Sequence, residues 1–333
     1  MDFRTADLRL NGAMTLAGAA IVALSLFIGP AALPAEEVVA GLFAQGDAAV
    51  AAVIREIRLP RALAAWLAGA CLGAAGAALQ GLLRNPLADP GVLGVSAAAA
   101  FGAVLALYFN LAVIAFWITP MAAIVFALGA TAALYALGAG RVSTARLILI
   151  GVGLSSFSGA LTALVMNLAP NPFALSDLVN WLFGSVANRS FRDLAMAAPF
   201  FAAGLFVILA AGPGLRALTL GEETAAAIGA DLARTRMLII AGTAALVGAS
   251  VSLAGAIGFI GIVAPHIVRP LAGHDPARLI LPSALLGGAV LTAADLFIRV
   301  LPFDQELKLG VAAALIGAPG FVWIAAATRR IAA

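Results

Sequence analysis

Long apolar runs without charged residues constrain the fold of this chain more than any other feature. Pro90–Gly140 contains no Asp, Glu, Lys or Arg in 51 residues, and Met237–Val268 contains none either. A helix needs roughly 20 mostly apolar residues to cross a bilayer, so Pro90–Gly140 must hold two such helices. Only 11% of the 333 residues are charged, against about 25% in soluble domains. The chain is therefore predicted to be an all-α, polytopic integral membrane protein.

The hydropathy pattern predicts ten membrane spans, of which the third and the eighth are short. The ten predicted spans are Gly12–Leu33, Ala62–Leu83, Val92–Phe109, Ala112–Leu137, Ala145–Leu168, Leu194–Gly212, Met237–Ala254, Ile257–Leu271, Leu279–Val300 and Leu309–Ala327. Breaks are expected at Asn110, at Thr119–Pro120 and in the Gly-rich segment Ala254–Gly261. Counts of nine and eleven spans stay open. The first apolar run is long enough to be a span, which argues against a cleaved signal peptide.

Basic residues beside the spans predict how the chain is oriented. With ten spans, twelve of the nineteen Lys and Arg residues lie on the side of the N-terminus and seven lie on the other side. Because basic loops are enriched on the cytoplasmic side, both termini are expected in the cytosol. Arg58, Arg61 and Arg299 fall on the outer side, against this trend, and require another explanation.

A weak internal similarity is consistent with an inverted repeat. At an offset of 179 residues, Gly69–Pro86 matches Gly248–Pro265 at six positions, five of them Gly or Ala. The match pairs the second span with the seventh, and these two run in opposite directions, as an inverted-topology repeat requires. Shared composition is the alternative explanation.

The segment Leu215–Arg236, hereafter the polar segment, is the longest well-patterned polar stretch between apolar runs. It is predicted to form two short helices. Thr219 and Glu222 have the spacing of a capping box, in which each side chain satisfies a backbone amide of the first turn. Gly229 can adopt the left-handed conformation that ends a helix, and Asp231 can cap the second one. Such a segment presents helices to a partner, or else is a plain solvated connector.

The residues exclude several kinds of chemistry. Lys308 is the only lysine and lies outside any phosphate-binding loop motif, so no nucleotide site of that type is expected. His266 and His274 are the only histidines, too few for a metal site. The chain has no basic tract with interleaved aromatic residues, so nucleic-acid binding is not expected. We therefore expect no catalytic residue, no cofactor and no metal.

Two further features have competing interpretations. Asp295 is an acidic residue near the end of a predicted span, where a carboxylate is a functional candidate by default. Arg299 lies four residues later and can pair with it on the same helix face, which weakens a proton-relay role. The stretch Arg84–Gly91, with Pro86 and Pro90, is either a rigid turn or a gate at the cytosolic mouth.

Seven segments together resemble the FecCD family of permeases, which serve binding-protein-dependent ABC importers of iron-siderophores, haem and cobalamin. The matching segments are Arg58–Ser96, Ser143–Gly153, Trp181–Ser185, Leu218–Ala230, Leu253–Asp275, Ala294–Arg299 and Glu306–Trp323. They occur in family order over nearly the whole chain, so residues 1–333 are interpreted as one permease domain. RNPLADPG and GFIGIVAPHIVR are the most specific motifs. The chain departs from the family pattern at ELKLG, where Lys308 replaces a proline.

The resemblance implies roles for three groups of residues. Residues that would couple the permease to an ATPase are Leu218, Thr219, Gly221, Glu222, Glu223, Ala226 and Gly229. Residues similar to a cytosolic gate are Asn85, Leu87 and Thr144. Residues that would dock a binding protein are Arg58, Arg61 and Arg299; local pairing is the alternative. The fifth and tenth spans are expected to line the path, with Ser155, Ser156, Ser158, Thr162 and Asn167 on the fifth.

The implied partners are a second copy of the chain, two separate ABC ATPase subunits, a periplasmic binding protein and membrane lipid, with no nucleic acid. The implied location is the bacterial inner membrane, and the implied cargo is an iron chelate, haem or a corrinoid. An ion-coupled secondary transporter without an ATPase is the alternative. It would need an intramembrane charge for coupling, and Asp295 is the one candidate.

Overall fold

The computed structural model describes residues 3–137, 144–302 and 306–329, and within these ranges the chain is helical with no β-strand. The helices are α1 (Phe3–Phe27), α2 (Ala35–Leu42), α3 (Ala48–Ala52), α4 (Leu59–Leu83), α5 (Val95–Tyr108), α6 (Ile118–Leu137), α7 (Thr144–Asn167), α8 (Pro172–Leu182), α9 (Phe191–Ala210), α10 (Gly212–Leu218), α11 (Glu222–Ala227), α12 (Leu232–Ala254), α13 (Ile260–Val268), α14 (Pro276–Val300) and α15 (Leu309–Arg329). A π-helical turn, Val53–Arg58, joins α3 to α4, and short 3-10 turns occur at Pro90–Leu93 and Leu111–Val113.

Each of the ten predicted spans overlaps one of these helices. Among the described residues, seven helices are long and apolar enough to cross a membrane, which confirms the multi-pass class. The predicted third span is the 14-residue helix α5, and the predicted eighth is the nine-residue helix α13. At 1.5 Å per residue α13 is only about 14 Å long, so it covers about half of the hydrocarbon thickness.

Helix α4 lies at the centre of the bundle, packed against α12, α13 and α14. In its most apolar window 89% of the residues are buried, and glycines allow the close contacts. A Cβ added at Gly69 would lie 2.2 Å from the carbonyl oxygen of Gly287, and one at Gly76 would lie 1.9 Å from that of Gly261. Small residues let helix backbones approach in this way, and this face of α4 is accordingly tightly packed.

The expected breaks at Asn110 and in Ala254–Gly261 are present. Asn110 has a φ of 53° between α5 and α6, and Gly255, with a φ of 73°, ends α12. The chain then runs without helix to Phe259, which begins α13 at a φ of 69° and would touch a Cβ added at Gly317 of α15. The offset of 179 residues pairs this helix end, Gly255, with Gly76, which lies inside the continuous helix α4. The paired segments therefore differ in helix continuity.

Helix α7 is mostly exposed, in contrast to the buried helix α4. Only 11% of its apolar window is buried, and it packs mainly on α5 and the 3-10 turn before it. Gly153 and Gly159 have no other atom within 4 Å of an added Cβ. A long apolar helix with one open face of small residues is typical of a surface that a second membrane helix covers.

Candidate functional site

The polar segment folds into the end of α10, helix α11 and the first turn of α12. Six residues are too few to form a stable isolated helix, so tertiary contacts must hold α11. Leu218 and Ala225 supply them, because both are buried under the segment. Leu220 and Ile228 instead expose 58% and 62% of their surface. Together with exposed Ala226, they form an apolar patch at the polar end of the molecule.

The predicted capping box in this segment is wrong. The N-cap of α11 is Gly221, with a φ of 94° and no side-chain cap. Thr219 ends α10, and its hydroxyl donates to the carbonyl of Arg216 at 2.7 Å. Glu222 forms an ion pair with Arg236 at 2.8 Å. The sharp turn at Gly221 separates Thr219 from the amides it was expected to cap.

Two other predictions for this segment are confirmed. Gly229 has a φ of 85° and lies two residues after the last residue of α11, where the left-handed conformation reverses the chain. Asp231 caps the next helix, because its carboxylate accepts a hydrogen bond from the Arg234 amide at 2.9 Å. That helix is not a second short one but the beginning of the long span α12. Glu223 is exposed in the first turn of α11.

The Arg84–Gly91 turn is held by its own side chains. Arg84, at a φ of 48°, ends α4, and the Asn85 carboxamide oxygen accepts from the Leu87 amide at 2.9 Å. Asp89 caps the following 3-10 turn through the Gly91 amide at 2.8 Å. Burial raises the pKa of the Asp89 carboxyl, and that hydrogen bond lowers it by less. Leu87 is half-buried on this preorganised turn.

The third predicted gate residue is Thr144. It is the first residue of α7, but its side chain lies outside the described part of the structure. The grouping of Thr144 with Asn85 and Leu87 therefore stays a prediction.

Gln80 is a polar residue of this region that the sequence did not single out. It is 2% exposed inside α4. Its amide nitrogen donates to the carbonyl of Gly261 at 3.1 Å, and its oxygen accepts a hydrogen bond from Arg269. One side chain thus connects α4 to both ends of α13. A glutamine within an apolar helix is the signal that could have identified it, because a buried amide needs partners.

A cleft of about 250 Å³ separates the Arg84–Gly91 turn from the polar segment. Its lining includes Arg84, Asn85, Thr219 and Arg269. The structure therefore brings Asn85 of the predicted gate and Thr219 of the predicted coupling residues to the same cleft.

Arg58, Arg61 and Arg299 lie together near the other end of α4, and all three are buried or nearly so. Arg61 is 9% exposed. Its Nη2 lies 2.8 Å from Oδ1 of Asp295, which is fully buried, and it also pairs with Glu306. Arg299 Nη2 lies 3.1 Å from the other oxygen of Asp295. The two guanidinium groups therefore share one carboxylate.

Arg58 uses its guanidinium differently. It is 4% exposed and donates to the carbonyls of Leu26 and Ala31, at the end of α1 and just beyond it. These contacts favour local pairing over docking for the three arginines. Docking by these three residues stays a prediction.

Two other arginines at this end are exposed. Arg55 lies on the π-helical turn and lines a cleft of about 470 Å³ together with Phe191 at the start of α9. Arg192, the next residue, is exposed, and its guanidinium carbon lies 5.9 Å from the ring centre of Phe116. A planar guanidinium at an exposed position can form paired hydrogen bonds with a carboxylate.

The expected polar lining of α7 is smaller than predicted. Ser155 donates to the carbonyl of Gly91 at 2.9 Å, and Ser158 is 7% exposed. Thr162 donates to its own helix backbone at 2.9 Å. Ser156 and Asn167 are exposed. Of the five residues, only these two are well exposed on the open face of α7.

Among the described residues, no group of three or more His, Cys, Asp and Glu side chains is placed to hold a metal ion. Cys71 is buried in α4. The candidate functional features are therefore the end that carries the polar segment and the Arg84–Gly91 turn, the end that carries the exposed arginines, and the open face of α7.

Comparison with known proteins supports one interpretation. The model of the FecCD transport family matches residues 17–327. A vitamin B12 import system permease protein of Vibrio cholerae is 41% identical over 274 residues, covering 82% of each chain. A probable siderophore transport system permease protein of Bacillus subtilis is 36% identical over 318 residues, covering 93% of this chain and 92% of the relative.

The fold comparison agrees. A solved structure described as an inward-facing conformation of a metal-chelate type ABC transporter superposes with a TM-score of 0.84 at 32% identity. The superposition covers 94% of this chain and 97% of the solved one.

Proposed function

The chain belongs to the FecCD transport family, and we propose that it carries an iron chelate, haem or a corrinoid across the bacterial inner membrane by alternating access. It is the permease component of an ABC importer, a multi-pass membrane protein, and ATP hydrolysis is the task of a separate subunit. The observation that carries the proposal is the match over residues 17–327, together with relatives named for siderophore and vitamin B12 import.

The polar segment is proposed to dock on the ATPase. Its exposed patch of Leu220, Ala226 and Ile228 supports this role, because an apolar patch at a polar end is costly to leave in water. Leu218 and Ala225 connect the patch to the bundle. The helix cap at Gly221 and the turn at Gly229 set the angle at which α11 projects.

The Arg84–Gly91 turn is proposed to be the cytosolic gate, with Leu87 as the narrowing side chain. Its internal hydrogen bonds make it rigid enough to move as a unit with the end of α4. Gln80 and the cleft beside Arg269 connect it to α13 and to the polar segment. A displacement of the polar segment by an ATPase can therefore reach the gate over a short distance.

A second copy of the chain is proposed to complete the path. The sparse burial of α7 and its open small-residue face support this. Two ATPase subunits would dock at the end that carries the polar segment, and a periplasmic binding protein would dock at the end that carries Arg55 and Arg192. The predominance of basic residues on the side of the N-terminus supports cytosolic termini.

The ion-coupled alternative is disfavoured by the contacts of Asp295. This carboxylate is shared by Arg61 and Arg299 in a buried network. A coupling carboxylate must exchange an ion during transport, whereas the Asp295 carboxylate is fully buried and already paired with two guanidinium groups. The network instead fits a structural role at the junction of α4, α14 and α15.

Uptake in a bacterial host that lacks its own importers tests the proposal. The permease is expressed with the ATPase and the binding protein of its own transport system, and ferric siderophores, haem and cobalamin are supplied separately. Import of one of them, lost when the ATPase is inactivated, is the expected result. Uptake that continues with an inactive ATPase and follows an ion gradient would establish the secondary transporter instead.

A further inference from the structure

A cleft of about 520 Å³ opens between the end of α9, helix α10 and the start of α12. Its walls change character along their length. Asp231 and Arg234 line one end, whereas Phe206 and Leu238 line the other. Helices α10 and α12 are in close contact beside it, because a Cβ at Gly214 would lie 2.0 Å from the Thr235 hydroxyl oxygen. The cleft is thus polar at one end and apolar at the other.

The apolar end opens on a poorly buried face of the bundle. Helix α9 is a membrane span in which only 17% of the apolar window is buried, and Phe206 exposes 73% of its surface. Leu238 is seven residues after Asp231 in α12, or about 10 Å along the helix axis. Each headgroup region of a bilayer is about 5–8 Å thick. A cleft of this length that begins among the headgroups reaches the acyl chains.

The polar end offers one cation and one anion on the same helix face. Residues three apart on a helix have Cβ atoms about 5–6 Å apart, which applies to Asp231 and Arg234. Both side chains are exposed. The Asp231 carboxylate caps α12 through one oxygen. No hydrogen bond or ion pair to the Arg234 guanidinium is found within the described part of the chain, where the neighbouring Arg236 does pair, with Glu222.

We propose that this cleft binds one molecule of phosphatidylethanolamine. The Arg234 guanidinium donates paired hydrogen bonds to the phosphodiester, because its planar geometry matches that of a phosphate. The free oxygen of Asp231 receives the ammonium, and an acyl chain lies along Phe206 and Leu238. Charge complementarity selects this headgroup over phosphatidylglycerol, which has a phosphate but no cation to place against Asp231. The bound lipid would sit beside the polar segment, against the two helices that flank it.

Photolabelling of the full-length permease in nanodiscs tests the site. The discs contain phosphatidylcholine and a small fraction of phosphatidylethanolamine with a photoactivatable acyl chain. Label is expected on peptides from α9 and α12. Arg234→Gln should lower this labelling by about three- to tenfold, the effect of losing one partly exposed charged hydrogen bond. Arg9→Gln, an exposed arginine of α1 outside the cleft, is the matched control and should label as the parent does.

Asp231→Asn tests the contact with the ammonium group separately from the contact with the phosphate. Asparagine is an equally good N-cap, so α12 should begin unchanged and the thermal melt should match the parent. Labelling by phosphatidylethanolamine should fall to the level of phosphatidylglycerol, while Arg234→Gln lowers both. If Asp231→Asn still prefers phosphatidylethanolamine over phosphatidylglycerol as strongly as the parent does, the headgroup assignment is overturned.

Three further outcomes would overturn the site itself. One is equal labelling of the parent and Arg234→Gln. The second is competition by water-soluble glycerophosphoethanolamine as strong as that by the diacyl lipid, which would mean that the apolar end contributes nothing. The third is complete loss of label when the ATPase assembles with the parent permease, which would assign the cleft to that partner.

Discussion

The Arg61 guanidinium and the Asp295 carboxylate form a buried ion pair between residues 234 positions apart in the chain, with Nη2 and Oδ1 2.8 Å apart. Arg299 approaches the same carboxylate from its own helix. One fully buried acid thus holds α4 and α14 together beside the segment that leads into α15. Several measurable consequences depend on this network and on the two polar turns at the other end.

Asp295→Ala should strongly destabilise the permease. Removal of one partner from a buried ion pair leaves an uncompensated charge and costs about 3–5 kcal/mol, and here two arginines lose the same acid. Glu306→Gln is the matched control, because Glu306 is 39% exposed on its side chain and its contribution should stay near the roughly 0–1 kcal/mol of surface pairs. Unfolding in detergent, followed by fluorescence, measures both variants. Equal losses would contradict the central role of Asp295.

Charge reversal at the exposed outer arginines should impair docking of the binding protein without loss of fold. Arg55→Glu with Arg192→Glu is expected to weaken binding-protein affinity in a salt-dependent way, since exposed pairs contribute only about 0.2–1 kcal/mol each. Basal ATPase activity should remain. Reversal of Arg58, Arg61 and Arg299 should instead reduce the yield of folded permease. Affinity for the binding protein at low ionic strength measures docking, and gel-filtration profiles measure the yield of folded permease. An unchanged affinity in the double variant would show that the binding protein docks at other residues.

Gly229→Val should uncouple ATP hydrolysis from transport. A β-branched residue resists the φ of 85° at this position, although a Cβ there would meet no other atom within 4 Å. The cost is therefore conformational, about 1–2 kcal/mol, and it redirects α11. Gly229→Asn is the control, because asparagine tolerates this region and should transport at nearly the parent rate. If the valine variant keeps both rates, the segment is a connector.

Leu87→Cys should crosslink between two copies of the chain in a nucleotide-dependent manner. Cys71, buried in α4, is first replaced by alanine to remove the native thiol. Disulfide formation is then compared with ATP, with ADP and without nucleotide in the assembled transporter. A crosslink of equal yield in all three states would identify Arg84–Gly91 as a static turn.

Asp89→Asn should stabilise the permease at neutral pH more than at acidic pH. The pKa of the Asp89 carboxyl is raised by burial, so the protonated form is favoured in the folded protein. The stability associated with that proton is present below the ordinary Asp pKa of about 3.9 and is lost as the pH rises through the folded pKa. Asparagine keeps an oxygen for the Gly91 amide and has no proton to lose. The Tm difference between variant and parent should therefore grow from pH 4 to pH 8. A Tm difference that stays constant over this range would contradict the prediction.

The sequence by itself determined the class of the protein, the positions of nearly all its spans and several helix ends. Hydropathy over 20 residues depends only on local composition, and a left-handed glycine such as Gly229 or an N-cap such as Asp231 acts within one helical turn. For the same reason the local pair of Asp295 and Arg299 was found. The family motifs, read as a set, identified the transport family.

Only the tertiary structure decided which polar groups meet. Arg61 reaches Asp295, and Gln80 reaches Arg269 189 positions away, because glycine contacts bring α4 against α13 and α14. The reversal at Gly221 gave Glu222 a partner in Arg236 instead of Thr219. No periodicity or spacing encodes these encounters, since they depend on how whole helices pack. Burial of the arginines at Arg58, Arg61 and Arg299 follows from that packing, which is why the sequence assigned them to the surface.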